Sequence, residues 1–128
     1  MRYQVLLIGV SVAIFAAAEA GAQEGDATAG ANVFKKCTAC HVVDSDKNKV
    51  GPSLKGVMGR TAGTHPGFKF SPAMVEAGKA GLVWDDASMR DYLHAPKAKV
   101  KGTKMAFAGL KDDADITNLL AYLKQNVQ

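Results

Sequence analysis

Of 128 residues, this chain has only two cysteines, four prolines and one tryptophan. With no second cysteine pair, a closed structural zinc site, which usually takes four ligands, lacks its donors. No strand–helix pattern surrounds the two cysteines, which argues against a thioredoxin-like dithiol. Strand-like alternation is weak throughout, and no internal repeat or low-complexity tract follows the N-terminal segment. Acidic residues are missing between Pro96 and Lys111, where Lys97, Lys99, Lys101, Lys104 and Lys111 all fall. That run lacks the interleaved aromatics of a nucleic-acid surface.

What is present is concentrated in Cys37-Thr38-Ala39-Cys40-His41. Both cysteines lie there, separated by two residues, with a histidine directly after the second. This spacing reads as a c-type haem attachment site. Two thiols can add to the two vinyl groups of one haem, and the adjacent histidine can reach the iron from the same face. A structural disulfide is the plainer alternative, although such bridges stabilise more when they close longer loops.

The N-terminus carries a further signal. Arg2 precedes an almost wholly apolar stretch from Val5 to Ala18, and Ala20-Gly21-Ala22 has the small-x-small form of a cleavage site. Residues 1–22 therefore read as a secretory signal peptide and 23–128 as one small domain. The apolar stretch is shorter than the ~20 residues of a spanning helix. Stable membrane insertion is not expected, and the exported protein would be periplasmic. Arg2 and Glu19 would leave together, so the net charge of +4 is unchanged. A basic surface on an exported protein suits acidic protein partners, not nucleic acid.

Short helices alternate with loops along the domain. Asp26 caps a helix over Ala27–Lys36. Val42 to Lys69, rich in Gly and Lys, reads as loop, with Leu54 and Val57 on one short turn. Ser71-Pro72 starts a second helix that ends at Gly78. Asp85 or Asp86 caps a third carrying Met89, Tyr92 and Leu93, and Pro96 stops it. A last helix begins near Asp112 or Asp113, where Ile116, Leu119, Leu120 and Leu123 form one apolar stripe. Loops this long in a small domain call for a large flat cofactor to wrap around.

An electron-transfer haem needs a sixth ligand. Met74 and Met89 lie on helices, where methionine usually fills core. Met58 reads as an edge residue, His65 as a surface position in a Gly/Pro loop, and His94 as the end of a helix. Met105 lies in a constrained loop between helices, far enough from His41 in sequence to approach the opposite face. Methionine opposite histidine raises the reduction potential.

The ordered motifs resemble the class I cytochrome c family. They run from Gly30-x-x-x-Phe34 and Cys37-x-x-Cys40-His41 through Gly51-Pro52-x-Leu54, Gly59-Arg60 and Pro66-Gly67-Phe68. Trp84, Tyr92-Leu93-x-x-Pro96, Gly102-Thr103-Lys104-Met105-x-Phe107 and Leu119-x-Ala121-Tyr122-Leu123 follow. The likeness spans Gly30 to Lys124. It implies an all-α fold of short helices and long loops around one haem c, with the first and last helices crossing. Gly30 and Phe34 would pack there on Leu119 and Tyr122.

The same resemblance implies thioethers at Cys37 and Cys40, and His41 and Met105 as ligands of the iron. The carbonyl of Pro52 would accept the other ring N–H of His41. Arg60 and Trp84 would help hold a propionate, and Tyr92 and Thr103 would lie on the Met105 side. Lys101 stands where mitochondrial members usually have proline, and Phe70 where they often have tyrosine. The implied function is that of a monomeric one-electron carrier, not an enzyme. It would shuttle between a quinol:cytochrome c reductase and a terminal oxidase or photosynthetic reaction centre. Lys35, Lys36 and Lys49, with Lys97, Lys99, Lys101, Lys104 and Lys111, would frame the docking face. A haem peroxidase or gas-binding protein with an open iron position is the alternative, and would require Met105 not to ligate.

Overall fold

A computed structural model describes residues 24–126. The signal-peptide reading of residues 1–22 lies outside the described residues. Five helices follow in chain order: α1 Ala27–Phe34, α2 Pro72–Lys79, α3 Asp86–His94, α4 Pro96–Lys99 and α5 Asp113–Gln125. Among the described residues no helix is long and apolar enough to cross a membrane.

Each longer helix starts where a short oxygen-bearing side chain accepts from the exposed first-turn amides. Asp26 accepts from the N–H groups of Thr28 and Ala29, and Asp112 does the same for Ala114 and Asp115. Ser71 accepts from the Met74 N–H, with Pro72 at the first helical position. Asp85, not Asp86, caps α3 through the Ser88 N–H at 2.8 Å. That bond holds the Asp85 carboxyl below the usual carboxylate range.

Helix ends differ slightly from expectation. α1 stops at Phe34 because Lys35 to Cys40 turn instead, the Cys37 N–H donating to the Phe34 carbonyl at 2.8 Å. α2 runs one residue beyond Gly78. Pro96 does end α3, but it also opens the one-turn α4 as its first residue, where its missing N–H costs nothing.

α1 and α5 cross at close range. Gly30 permits it: a Cβ there would lie 1.9 Å from the Asn118 carbonyl oxygen and 2.8 Å from the Tyr122 Cβ. Asn118 and the expected Tyr122 are thus nearest to Gly30, while Leu119 shares the buried core with Phe34. The rings of Phe34 and Tyr122 complete the crossing, with centroids 5.4 Å apart. Ile116, Leu119, Leu120 and Leu123 on α5 are all buried, as their spacing predicts. The Asp26 N–H donates to the Asn118 side-chain oxygen at 2.9 Å, tying the cap of α1 to α5.

Residues 42–69 are irregular apart from turns, including one closed by the Val57 N–H on the Leu54 carbonyl at 3.1 Å. A short antiparallel bridge pairs Thr61 with Val83, and on either side the Trp84 N–H donates to the Arg60 carbonyl and the Ala62 N–H to the Leu82 carbonyl. This stitch escapes sequence reading because one bridged pair leaves no alternating pattern.

Candidate functional site

A cavity of about 650 Å³ opens inside the ring of helices and loops. That is within the ~300–1,000 Å³ typical of small-molecule and cofactor sites. Cys37, Cys40, His41, Gly51 and Pro52 line one part of it, and Thr103 to Phe107 another. Trp84, Tyr92, Met74 and Met89 also contribute to the wall, as does Arg60.

The attachment motif reaches the cavity because the chain leaves α1 through tight turns. The Cys40 and His41 N–H groups both donate to the Cys37 carbonyl, at 3.1 and 2.9 Å. Both cysteines are free and partly buried, so the disulfide alternative is not seen. Burial pushes the Cys37 thiol up, with Lys36 partly opposing it.

His41 is fixed on two sides. Its Nδ1 lies 2.7 Å from the Pro52 carbonyl oxygen, an acceptor, so Nδ1 carries the proton and Nε2 keeps the lone pair. Its ring rests on Gly51, where a Cβ would meet the ring carbon Cε1 at 2.4 Å. Burial lowers its pKa, the Pro52 bond partly offsetting this, so the neutral form prevails at neutral pH. Neutral imidazole is the form that binds a metal.

Three of the six candidates for a second iron ligand line the cavity: Met74, Met89 and Met105. Met74 and Met89 are 8% and 5% exposed, on α2 and α3. Met105 is half-buried on the loop after α4, and the Thr103 hydroxyl accepts from its N–H at 3.4 Å. That hydroxyl also bonds the Tyr92 hydroxyl at 2.7 Å. Burial pushes the Tyr92 phenol up, and the Thr103 bond works against this. Met58 packs against the core and does not line the cavity.

His65 is a correction. It is buried, not a surface residue, because its ring turns inward to bring Nε2 3.4 Å from the Asp46 carbonyl oxygen. His94 is exposed at the end of α3, its Nδ1 3.2 Å from the Leu110 carbonyl oxygen.

Arg60 lines the cavity, but its guanidinium is already engaged. It donates to the Ser53 carbonyl at 3.0 Å and to the Lys55 carbonyl. Trp84 is buried with its ring centroid 4.9 Å from that of Tyr92.

The lysines fall into two groups. Lys99 pairs with Asp91 at 3.3 Å, and Lys36 approaches Asp115 at 4.0 Å. Lys49 donates to the Thr38 carbonyl at 2.6 Å, and Lys111 to the His94 carbonyl at 3.0 Å. Lys35, Lys97, Lys101 and Lys104 are exposed and have no acidic partner among the described residues. Lys104 lines the cavity, as do Lys69 and Val50, neither of which the sequence singled out. Val50 is 79% exposed at that position.

The donor set fits a haem. Two thiols three residues apart, a neutral imidazole and a thioether share one largely apolar cavity. Nothing in its lining supplies a cluster of three or more His, Cys, Asp or Glu to hold a bare metal ion among the described residues.

Comparison with known proteins agrees. The profile of the family described as Cytochrome c matches residues 27–126. Cytochrome c2 of Agrobacterium tumefaciens is 50% identical over 101 residues, covering 78% of this chain and 91% of its own. Cytochrome c2 of Blastochloris viridis is 45% identical over 121 residues, covering 94% and 91%. Among solved structures, cytochrome c2 from Rhodospirillum centenum superposes with a TM-score of 0.76 at 43% identity, covering 80% of this chain and 98% of its own. Cytochrome cH from Methylobacterium extorquens gives 0.73 at 47% identity, covering 79% and 99%. The expected all-α architecture and the family stand together: the chain belongs to the cytochrome c family.

Proposed function

We propose that the cavity holds one haem c, attached through Cys37 and Cys40, with His41 and Met105 as the ligands of its iron. The chain is then a one-electron carrier and not an enzyme. The observation that carries the site assignment is the meeting of both thiols, the oriented imidazole and a loop methionine in one apolar cavity. A bound haem supplies the one-electron Fe(III)/Fe(II) couple. The chain does the rest. Cys37 and Cys40 would hold the haem through two thioethers, each thiol adding across one vinyl group with S–H as the source of both added atoms, so no oxidant would be needed. Gly51 and Pro52 hold His41 in one orientation and one tautomer. Tyr92 and Thr103 anchor the loop that presents Met105. The largely apolar walls would disfavour water against the haem faces, and the same two ligands in both redox states would keep rearrangement small.

We further propose that the mature protein is periplasmic. The pattern of residues 1–22 supports this. Its partners would be membrane complexes with acidic docking patches: a quinol:cytochrome c reductase as donor, and a terminal oxidase or photosynthetic reaction centre as acceptor. The unpaired Lys97, Lys101 and Lys104 support that reading.

Mass spectrometry and the visible spectrum test the assignment. The mature protein should carry the mass of one covalent haem and show the weak far-red band of a methionine bound to ferric iron. Met105→Ala should abolish that band while Met74→Leu and Met89→Leu keep it. Loss of the band in Met74→Leu or Met89→Leu, with Met105→Ala unaffected, would reassign the ligand. Absence of the band in the unsubstituted protein would favour an open iron position.

A further inference from the structure

We infer that Asn48 is a positioning residue for His41, acting through the far end of the peptide unit whose carbonyl holds the imidazole. The inference rests on the proposed role of His41 as an iron ligand. The Pro52 carbonyl and the Ser53 N–H belong to a single planar peptide group. The carbonyl accepts from His41 Nδ1 at 2.7 Å, and the N–H donates to the Asn48 side-chain oxygen at 3.0 Å. A trans peptide points these groups in opposite directions, so Asn48 and His41 grip one rigid plate from its two edges. Turning the plate to lose one bond strains the other. Bonding at the N–H also polarises the carbonyl and strengthens its hold on Nδ1.

Asn48 is itself fixed. Its amide nitrogen donates to the Pro66 carbonyl at 3.1 Å, and the two partners demand opposite ends of the amide, so only one flip fits. His65 makes a second tether between the same two loops, at 3.4 Å to the Asp46 carbonyl, but hydrogen-bonds to neither Pro52 nor Ser53. Around the plate, the fully buried Ser53 hydroxyl donates to the Ser45 carbonyl and accepts from the Lys55 N–H at 3.1 Å. Arg60 holds the Ser53 carbonyl. The Pro52–Ser53 segment is therefore restrained at every polar group, and only Asn48 acts on the very peptide that orients His41.

An imidazole whose Nδ1–H is well bonded is more basic and favours the ferric state. Asn48→Ala in the holoprotein should raise the reduction potential and speed exchange of the His41 Nδ1 proton by up to about tenfold, the size set by the net worth of one lost hydrogen bond. His65→Gln serves as the control: it should lower Tm without changing either readout. The inference is overturned if Asn48→Ala lowers Tm but leaves potential and proton exchange as in the unsubstituted protein. It is also overturned if both variants move those readouts alike. Should Asn48→Ala fail to fold, native-state hydrogen exchange on the unsubstituted holoprotein decides. The Ser53 N–H and His41 Nδ1–H should be released in one opening event, and independent release refutes the linkage. Failure of the haem assignment is separately visible as a missing covalent haem mass.

Discussion

Gly30→Ala offers a prediction whose sign separates local from tertiary reasoning. By helix propensity alone, alanine in α1 should stabilise by about 1 kcal/mol over glycine. The crossing reverses this. The new Cβ would lie 1.9 Å from the Asn118 carbonyl oxygen and 2.6 Å from its carbonyl carbon, whereas ordinary contact begins at 3.4 Å. The obstruction is α5 backbone, which has no rotamer to change. The helices must part by 1.5 Å along that direction to restore contact. Overpacking costs ~1–3 kcal/mol and occasionally more, and a backbone obstruction belongs at the upper end. Set against the propensity gain, a net loss of about 2 kcal/mol remains. For a domain of this size that lowers Tm by roughly 8–16 °C. Thermal unfolding of the ferric holoprotein, followed by far-ultraviolet circular dichroism, is the assay. Asn32→Ala, at an exposed position of the same helix, should stay within about 0.5 kcal/mol of the unsubstituted protein. An unchanged or raised Tm in Gly30→Ala would refute the close crossing.

Three further outcomes follow from the same geometry. Thr103→Val leaves the buried Tyr92 hydroxyl without its partner and frees the Met105 N–H, at a cost of ~1–3 kcal/mol. The far-red band should then vanish at lower denaturant concentration, and an unshifted midpoint would contradict the role of Thr103. Asp85→Asn keeps a capping oxygen but removes a carboxyl whose pKa the Ser88 N–H depresses. A depressed folded pKa contributes stability above the ordinary carboxylate value and loses it as pH falls through the folded value. Below about pH 4 the Tm of the unsubstituted protein should therefore fall more steeply than that of Asp85→Asn; parallel calorimetric curves from pH 6 downwards would rule this out. Finally, Lys104→Gln should slow association with an acidic redox partner and flatten its salt dependence more than Lys99→Gln, because Asp91 already offsets Lys99. Equal effects in stopped-flow kinetics would show that the pairing does not matter.

Helix caps were legible because they are local. Asp26, Ser71, Asp85 and Asp112 each act within three residues of themselves. The stripe on α5 was legible because burial follows the helical period. The attachment motif was legible because its chemistry is compressed into five residues. The fate of His65 was not, since a histidine between Thr64 and Pro66 shows no sign of its partner nineteen residues earlier, the Asp46 carbonyl. Nor was Asn48, which looks like an ordinary polar loop residue between two lysines. The lysine run looked uniform until Asp91, which precedes it on α3, was found beside Lys99.

By itself, then, the sequence determined the cofactor chemistry, the helix starts and the apolar face of α5, since each is written in residues close together along the chain. Tertiary structure decided which methionines reach the cavity, which lysines lack an acidic partner among the described residues and how closely the two helices cross at Gly30. It also decided that one peptide plane is held by His41 on one edge and Asn48 on the other. Those are contacts between distant segments, and their physical basis is packing and hydrogen-bond satisfaction in three dimensions, for which no spacing rule exists.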